Sequence, residues 1–236
     1  PAWVLMDHHS GQVLAQRNGD KPLAPASLTK LMTAYVLFAQ LKAGKLRLDD
    51  EVTISPQAVK ARGARLFLRP GTTARGEELL RGMIVVSAND AAIALAEHVA
   101  KNETDFVTEM NVTARALGLQ KTSFVNVTGH DEPGLAATAH DLARLTSALI
   151  RDFPEHYKWF AQKEFTYQEI TQHNHNALLW RDLHVDGVKT GHTRSGGYCL
   201  SASASRDGMR LITVVLGARD DGARVSAGQK LLEHGF

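Results

Sequence analysis

Gly197-Tyr198-Cys199-Leu200-Ser201-Ala202-Ser203, then Arg206-Asp207-Gly208, then Arg210-Leu211-Ile212-Thr213-Val214-Val215-Leu216, reads as two strands joined by a tight turn. Apolar and β-branched residues fill both flanks, and Asp-Gly is a favoured hairpin turn. A short connection forces antiparallel pairing. The start of the chain repeats the pattern. Trp3-Val4-Leu5-Met6 is apolar, His8-His9-Ser10-Gly11 supplies turn chemistry, and Gln12-Val13-Leu14-Ala15-Gln16 resumes with alternation before Asn18-Gly19-Asp20 breaks it. A last helix is predicted from 223 to about 234, with Val225, Leu231 and Leu232 as its apolar residues.

Between these ends the periodicity is helical. Residues 27–41 carry Leu28, Leu31, Met32, Tyr35, Val36, Phe38 and Leu41, apolar over most of the circumference, which predicts a central buried helix. Gly44 is its stop signal. Further helices are predicted over 77–86, 90–100, 105–117 and 139–150. Pro70-Gly71 and Glu132-Pro133-Gly134 mark loops. Strands at both ends with helices between them predict an α/β (α+β) fold. One antiparallel sheet takes residues 1–17 and about 185–236, with a mainly helical insert over about 27–150, in a single domain spanning 1–236.

Composition bounds the function. The 236 residues are 44% hydrophobic, 22% charged and 6% aromatic, with 27 basic and 25 acidic side chains for a net charge of +2. A chain of this size buries a core without disulfides or metal. The near balance gives no general electrostatic reason to bind nucleic acid or an acidic membrane. Cys199 is the only cysteine, which excludes an intrachain disulfide and reads as a small buried residue. No apolar run approaches the ~18 residues of a membrane helix. The chain opens at Pro1, without an initiator Met or a leader pattern, and is read as a processed or trimmed product.

Three short patterns carry chemistry. In Pro25-Ala26-Ser27-Leu28-Thr29-Lys30, Ser27 and Lys30 share a helix face one turn apart. A lysine held neutral there takes the serine proton; at its ordinary pKa of about 10.4 it does not. The ordinary meaning of such a pattern is an N-cap serine and a solvent-facing lysine. In Val85-Val86-Ser87-Ala88-Asn89-Asp90, an apolar helix end meets a small polar cluster. A hydroxyl there can relay a proton and an amide can hold a carbonyl, or Asn89 or Asp90 simply caps the next helix. In Asp186-Gly187-Val188-Lys189-Thr190-Gly191-His192-Thr193, a strand edge offers a cation, a hydroxyl and open backbone at Gly191. Alone it is also a polar edge strand protected by lysine.

Together, Ser27-x-x-Lys30, Ser87-x-Asn89 and Lys189-Thr190-Gly191 stand in the order found in penicillin-binding proteins and β-lactamases. On these residues, and on PASLTKLMTAYV, FLRPG, RGMIVVSANDAAIALAEHVA, VDGVKTGHT and MRLITVVLGA, the chain resembles the penicillin-recognising serine acyl-transferases. More narrowly, it resembles the low-molecular-mass D-alanyl-D-alanine carboxypeptidases, over essentially its whole length.

The resemblance implies a transpeptidase/β-lactamase-like fold and removal of the terminal D-Ala of peptidoglycan stem peptides through a Ser27 acyl-enzyme. It makes Lys30 the base, Ser87 the proton shuttle to the leaving group, Asn89 the holder of the substrate amide and Lys189 a source of positive field. Thr190 helps bind the terminal carboxylate, beside the open backbone of Gly191, and the N–H groups of Ser27 and His192 form an oxyanion hole. Arg224, in the loop before the last helix, matches an arginine near the substrate carboxylate. The implied partners are stem peptides ending in D-Ala-D-Ala and β-lactam antibiotics, with no nucleic acid, no cofactor and no metal. The implied place is extracytoplasmic, with membrane attachment only through segments absent from this chain. Family members often add a β-rich second domain and an amphipathic helix, so the chain is read as the catalytic domain alone. A DD-endopeptidase that cuts cross-links and a penicillin sensor that never turns over stay open as alternatives.

Two departures stand out. Ala88 and the lack of a Glu-x-x-Leu-Asn stretch do not fit class A β-lactamases, and His175 stands where some relatives carry Arg. His173 and His175 are predicted to share a strand face, and a His-x-His pair can hold zinc. With His184 they lack a completing Asp or Glu pattern, so no metal site is predicted.

Overall fold

The computed structural model describes residues 1–236. The chain forms β1 (Ala2–Asp7), β2 (Val13–Arg17), a 3-10 turn (Ala26–Thr29), α1 (Lys30–Lys42), β3 (Glu51–Thr53), α2 (Pro56–Val59), β4 (Thr73–Arg75), α3 (Gly76–Val85) and α4 (Asn89–Ala100). There follow α5 (Glu103–Ala116), α6 (Ala139–Asp152), α7 (Pro154–Tyr157), a second 3-10 turn (Lys158–Ala161), β5 (Glu164–Tyr167) and β6 (Ile170–His173). The chain ends with α8 (Leu178–Arg181), β7 (Val185–Thr193), β8 (Gly197–Arg206), β9 (Met209–Ala218) and α9 (Asp221–Gly235).

The main sheet has five strands in the order β2-β1-β9-β8-β7, all antiparallel. Both chain ends build it, because β1 pairs with β9, as at Trp3 opposite Val215. Successive side chains alternate faces. Val4, Met6, Ile212 and Val214 join the large core under the helical insert, while Leu5, Leu211 and Val215 pack with Val225 and Leu232 of α9. Covered on both faces, β8 and β9 are buried along most of their length. An antiparallel sheet built by both chain ends, with a largely helical insert packed on it, is the architecture the sequence predicts.

Several boundaries differ for local reasons. The helix predicted from residue 27 begins as a 3-10 turn and becomes α-helical at Lys30. The helices predicted to start at 105 and 223 start earlier, because Asn102 and Asp220 cap them, accepting from Asp105 N at 2.8 Å and Ala223 N at 2.7 Å. Arg224 therefore sits in the first turn of α9 and not in a preceding loop, a correction to the sequence reading. Two small sheets, β3-β4 and β5-β6, were invisible in the sequence because strands of three or four residues carry too little periodicity. No helix is long and apolar enough to cross a membrane.

Candidate active site

The three sequence patterns meet in one cleft, lined by Ser27 from the 3-10 turn, Ser87 and Asn89 around the start of α4, Thr190 and His192 from β7, and Arg224 from α9. Beneath them lie the two lysines, Lys30 at 2% and Lys189 at 4% exposure. A lysine is almost never that buried without a function or a partner, which removes the solvent-facing reading of Lys30 and the edge-protecting reading of Lys189.

The serine turn is held from both sides. Ala26 is in the left-handed region at φ +50°, a conformation that costs a non-glycine residue about 1–3 kcal/mol. On one side Gly129, at φ +92°, lies so close that a Cβ there would stand 1.9 Å from Ala26 O. On the other, a Cβ on Gly191 would stand 2.6 Å from Ser27 N. Only glycine lets β7 and the 126–130 loop press against the nucleophile's backbone in this way. Since β7 is the sheet edge, alternate backbone groups point away from β8 toward the cleft.

Lys30 Nζ lies 2.9 Å from Ser27 Oγ and donates to Thr128 O at 2.8 Å. Burial first, and the Lys189 cation second, hold its pKa well below the ordinary lysine range. An uncharged Nζ keeps a lone pair for the serine proton, so this geometry fits a general base. Lys189 is itself drawn down to about 7, by burial and then by Arg224. Its Nζ donates to Thr190 O at 3.0 Å.

Arg224 is buried and largely committed. Nε donates to Asp221 Oδ1 at 2.8 Å, Nη1 donates to Gly191 O at 2.9 Å and Cys199 O at 3.2 Å, and Nη2 pairs with Asp221 at 2.6 Å. Of the five N–H donors of a guanidinium, one stays free for a ligand. Arg224 thus braces the β7 backbone as well as lining the cleft. Its guanidinium lies 5.3 Å from the Tyr198 ring, and His192 stacks on the same ring at 4.0 Å.

The opposite wall is differently made. Ser87 is in the left-handed region at φ +62°. Asn89 donates from N to Ala64 O at 2.8 Å and from Nδ2 to Arg62 O at 2.6 Å, while its Oδ1 is buried without a partner. Asp90 caps nothing by the usual N-cap geometry. It accepts from Leu66 N, Leu68 N and Ala91 N at 3.0, 3.1 and 2.9 Å, sewing the 62–68 segment to α4.

The histidines separate. β6 ends at His173, which is exposed and 3.7 Å from Glu164. His184 pairs with Asp182 at 3.0 Å. His175 stands apart from both, in the cleft wall, so the predicted shared strand face with His173 does not exist. The physical reason is Asn176, which accepts from Leu178 N at 3.2 Å and donates to Gly187 O at 2.9 Å, turning the chain out of strand geometry. Desolvation, then Lys189 and Arg224, lower the pKa of His175.

Sequence reasoning missed the 126–131 loop. Thr128 supplies the carbonyl that Lys30 binds, and Asp131 ties the loop to the β7–β8 turn by accepting from Ser195 N at 3.1 Å and Ser195 Oγ at 2.5 Å. A main-chain carbonyl leaves no side-chain signature. The one available signal was Asn126 with Gly129, turn chemistry in which Asn126 Oδ1 accepts from Gly129 N at 2.8 Å.

The D-alanyl-D-alanine carboxypeptidase family model matches residues 1–220. D-alanyl-D-alanine carboxypeptidase DacC of Escherichia coli is 49% identical over 100% of this chain and 60% of its own length. Penicillin binding protein 5 of Haemophilus influenzae has a structure similar at TM-score 0.97 and 44% identity, covering 100% of this chain and 70% of that one. Penicillin-binding protein D2 of Listeria monocytogenes, in its ampicillin-bound form, is similar at TM-score 0.86 and 32% identity, over 100% of this chain and 96% of its own. The chain spans about 60% of the length of these curated relatives, DacC and DacA of Escherichia coli.

Proposed function

The chain belongs to the D-alanyl-D-alanine carboxypeptidase family, and from that premise we propose that it is the single catalytic domain of a serine-type D-Ala-D-Ala carboxypeptidase acting on peptidoglycan stem peptides outside the cytoplasm. The observation that carries this reading is the pair Ser27 and Lys30: a hydroxyl 2.9 Å from an amine whose charge burial suppresses.

Ser27 Oγ attacks the carbonyl carbon of the penultimate D-Ala, and its proton passes to Lys30 Nζ. The developing oxyanion is met by the N–H groups of Ser27 and His192. As the C–N bond breaks, Ser87 relays the proton from Lys30 to the departing amine, and D-Ala leaves with its carboxylate drawn by Lys189, Thr190 and the free N–H of Arg224. Water then attacks the Ser27 ester, gives its proton to Lys30, and the shortened peptide departs as Ser27 regains a proton. Asn89 holds the donor amide. Its unpartnered Oδ1 suits the N–H of a peptide.

A β-lactam enters the same first step, but its amine stays tethered to the acyl group and blocks water. The ampicillin-bound relative supports β-lactams as ligands of this cleft. Product analysis tests the whole reading. We expect many turnovers of D-Ala release from a free pentapeptide and a penicillin burst of about one equivalent followed by slow release. Sustained penicillin hydrolysis at the peptide rate, or a burst with no D-Ala turnover, would contradict it.

A further inference from the structure

Asn89 and Asp90 do more than line the cleft: together they hold residues 62–68. Asn89 takes the carbonyls of Ala64 and Arg62, and the Asp90 carboxylate takes Leu66 N and Leu68 N, the amides on either side of Phe67. Leu66 and Leu68 turn inward, at 3% and 7% exposure, and Phe67 is left 54% exposed at φ +60°. A bulky side chain rarely adopts that backbone conformation, and a glycine would adopt it without strain. An exposed aromatic ring on strained backbone is therefore not explained by packing.

Its neighbours are polar and lead to the cleft. The Arg65 guanidinium lies 5.4 Å from the Phe67 ring centroid, and Arg65 Nε is buried with no partner. Gln172 Nε2 donates to Arg65 O at 2.8 Å, fixing the segment against β6. The inner end of the segment, Gly63 and Ala64, lines the cleft itself. In the proposed mechanism D-Ala departs toward Thr190 and Arg224, and the donor amide is held by Asn89, the residue bonded to this segment. A flat aromatic face stacks on the apolar face of a pyranose ring, and a guanidinium pairs with a carboxylate.

We propose that Phe67 and Arg65 form a subsite for the sugar-bearing end of the acyl donor, a pyranose ring on Phe67 and a donor carboxylate on Arg65. The proposal rests on the carboxypeptidase reading, so its test is made by binding and does not need turnover. In the Ser27→Ala protein, calorimetry gives the Kd of a muramyl pentapeptide and of a short acyl-D-Ala-D-Ala peptide without sugar. Adding Phe67→Ala should lower the preference for the muramyl ligand by about tenfold. Phe67→Gly should lower it similarly while raising Tm, because the strained side chain is gone. An unchanged preference in both variants would overturn the subsite. Absence of D-Ala release by the wild-type enzyme would instead count against the carboxypeptidase reading and leave the measured preference standing.

Discussion

The two walls of the cleft are built on opposite plans. On the sheet side, Lys189, Gly191 and Arg224 spend their polar groups on one another and on β7–β8 backbone, and Gly191 presses the strand onto the Ser27 turn. On the helical side, Ser87 is strained, Asn89 Oδ1 has no partner, and Phe67 stands out on left-handed backbone. The sheet wall is a finished network of cations and donors, whereas the helical wall has needs a substrate can meet. Buried polar groups without partners cost stability, and such costs persist where function uses them. Acylation should therefore depend on the charge states of Lys30 and Lys189, and substrate recognition on the helical wall.

The largest expected effect separates the two lysines. Arginine keeps a charge but is not a base at neutral pH. Lys30→Arg should lower penicillin acylation by about 10²–10⁴-fold, while Lys189→Arg should keep a measurable fraction. Stopped-flow acylation rates decide, and near-normal acylation in Lys30→Arg would break the assignment of the base.

Next is the clamp that keeps the helical wall in place. Asp90 is 1% exposed and accepts from three backbone amides. Asp90→Ala leaves those donors buried and unpaired, and urea unfolding should show a loss of about 3 kcal/mol. A loss under about 1 kcal/mol would mean that the 62–68 segment holds itself.

Arg224 sharpens the contrast from the sheet side. Amidating the substrate's terminal carboxylate should penalise the wild type by roughly 1.5–3 kcal/mol in kcat/KM, and the penalty should shrink in Arg224→Ala. The variant should also lose stability, since Gly191 O and Cys199 O lose their donor. An unchanged amidation penalty would make Arg224 a brace alone.

The remaining contrast is in pH. Lys189 binds its proton more weakly in the folded state, with a pKa of about 7, than in the unfolded chain near 10.5. Between those values the unfolded state holds more protons, so stability should rise with pH from about 7 to about 10.5, by at most about 1.4 kcal/mol per pH unit for this group. Lys189→Met should reduce that rise and leave the share contributed by Lys30, which is also held well below the ordinary lysine range. Activity should move the other way, falling as pH climbs through about 7 and the cation is lost. A wild-type stability that is flat over this range would show that both buried lysines keep their charge.

Legibility in the sequence follows the same division. Spacing exposed the sheet wall and the nucleophile between the walls, because a strand edge with Lys-Thr-Gly and a helix face with Ser27 and Lys30 both announce themselves in side chains. The terminal hairpins and their shared sheet were equally plain from alternation. Arg224 was misplaced by one element because the cap at Asp220 lies just before the apolar pattern begins. Much of the helical wall was hidden, because it depends on main-chain atoms: Thr128 O, Ala64 O and the amides around Phe67. Asp90 was legible only as a helix cap, since nothing in its neighbours reveals that its carboxylate reaches back 22 and 24 residues.

The central claim, that Lys30 arms Ser27 alone, is tested most directly by mass spectrometry of the intact protein and its peptides after brief exposure to penicillin. The account expects one adduct per chain, on the peptide containing Ser27, and none in Ser27→Ala. Label on Ser87, or an adduct retained in Ser27→Ala, would contradict it.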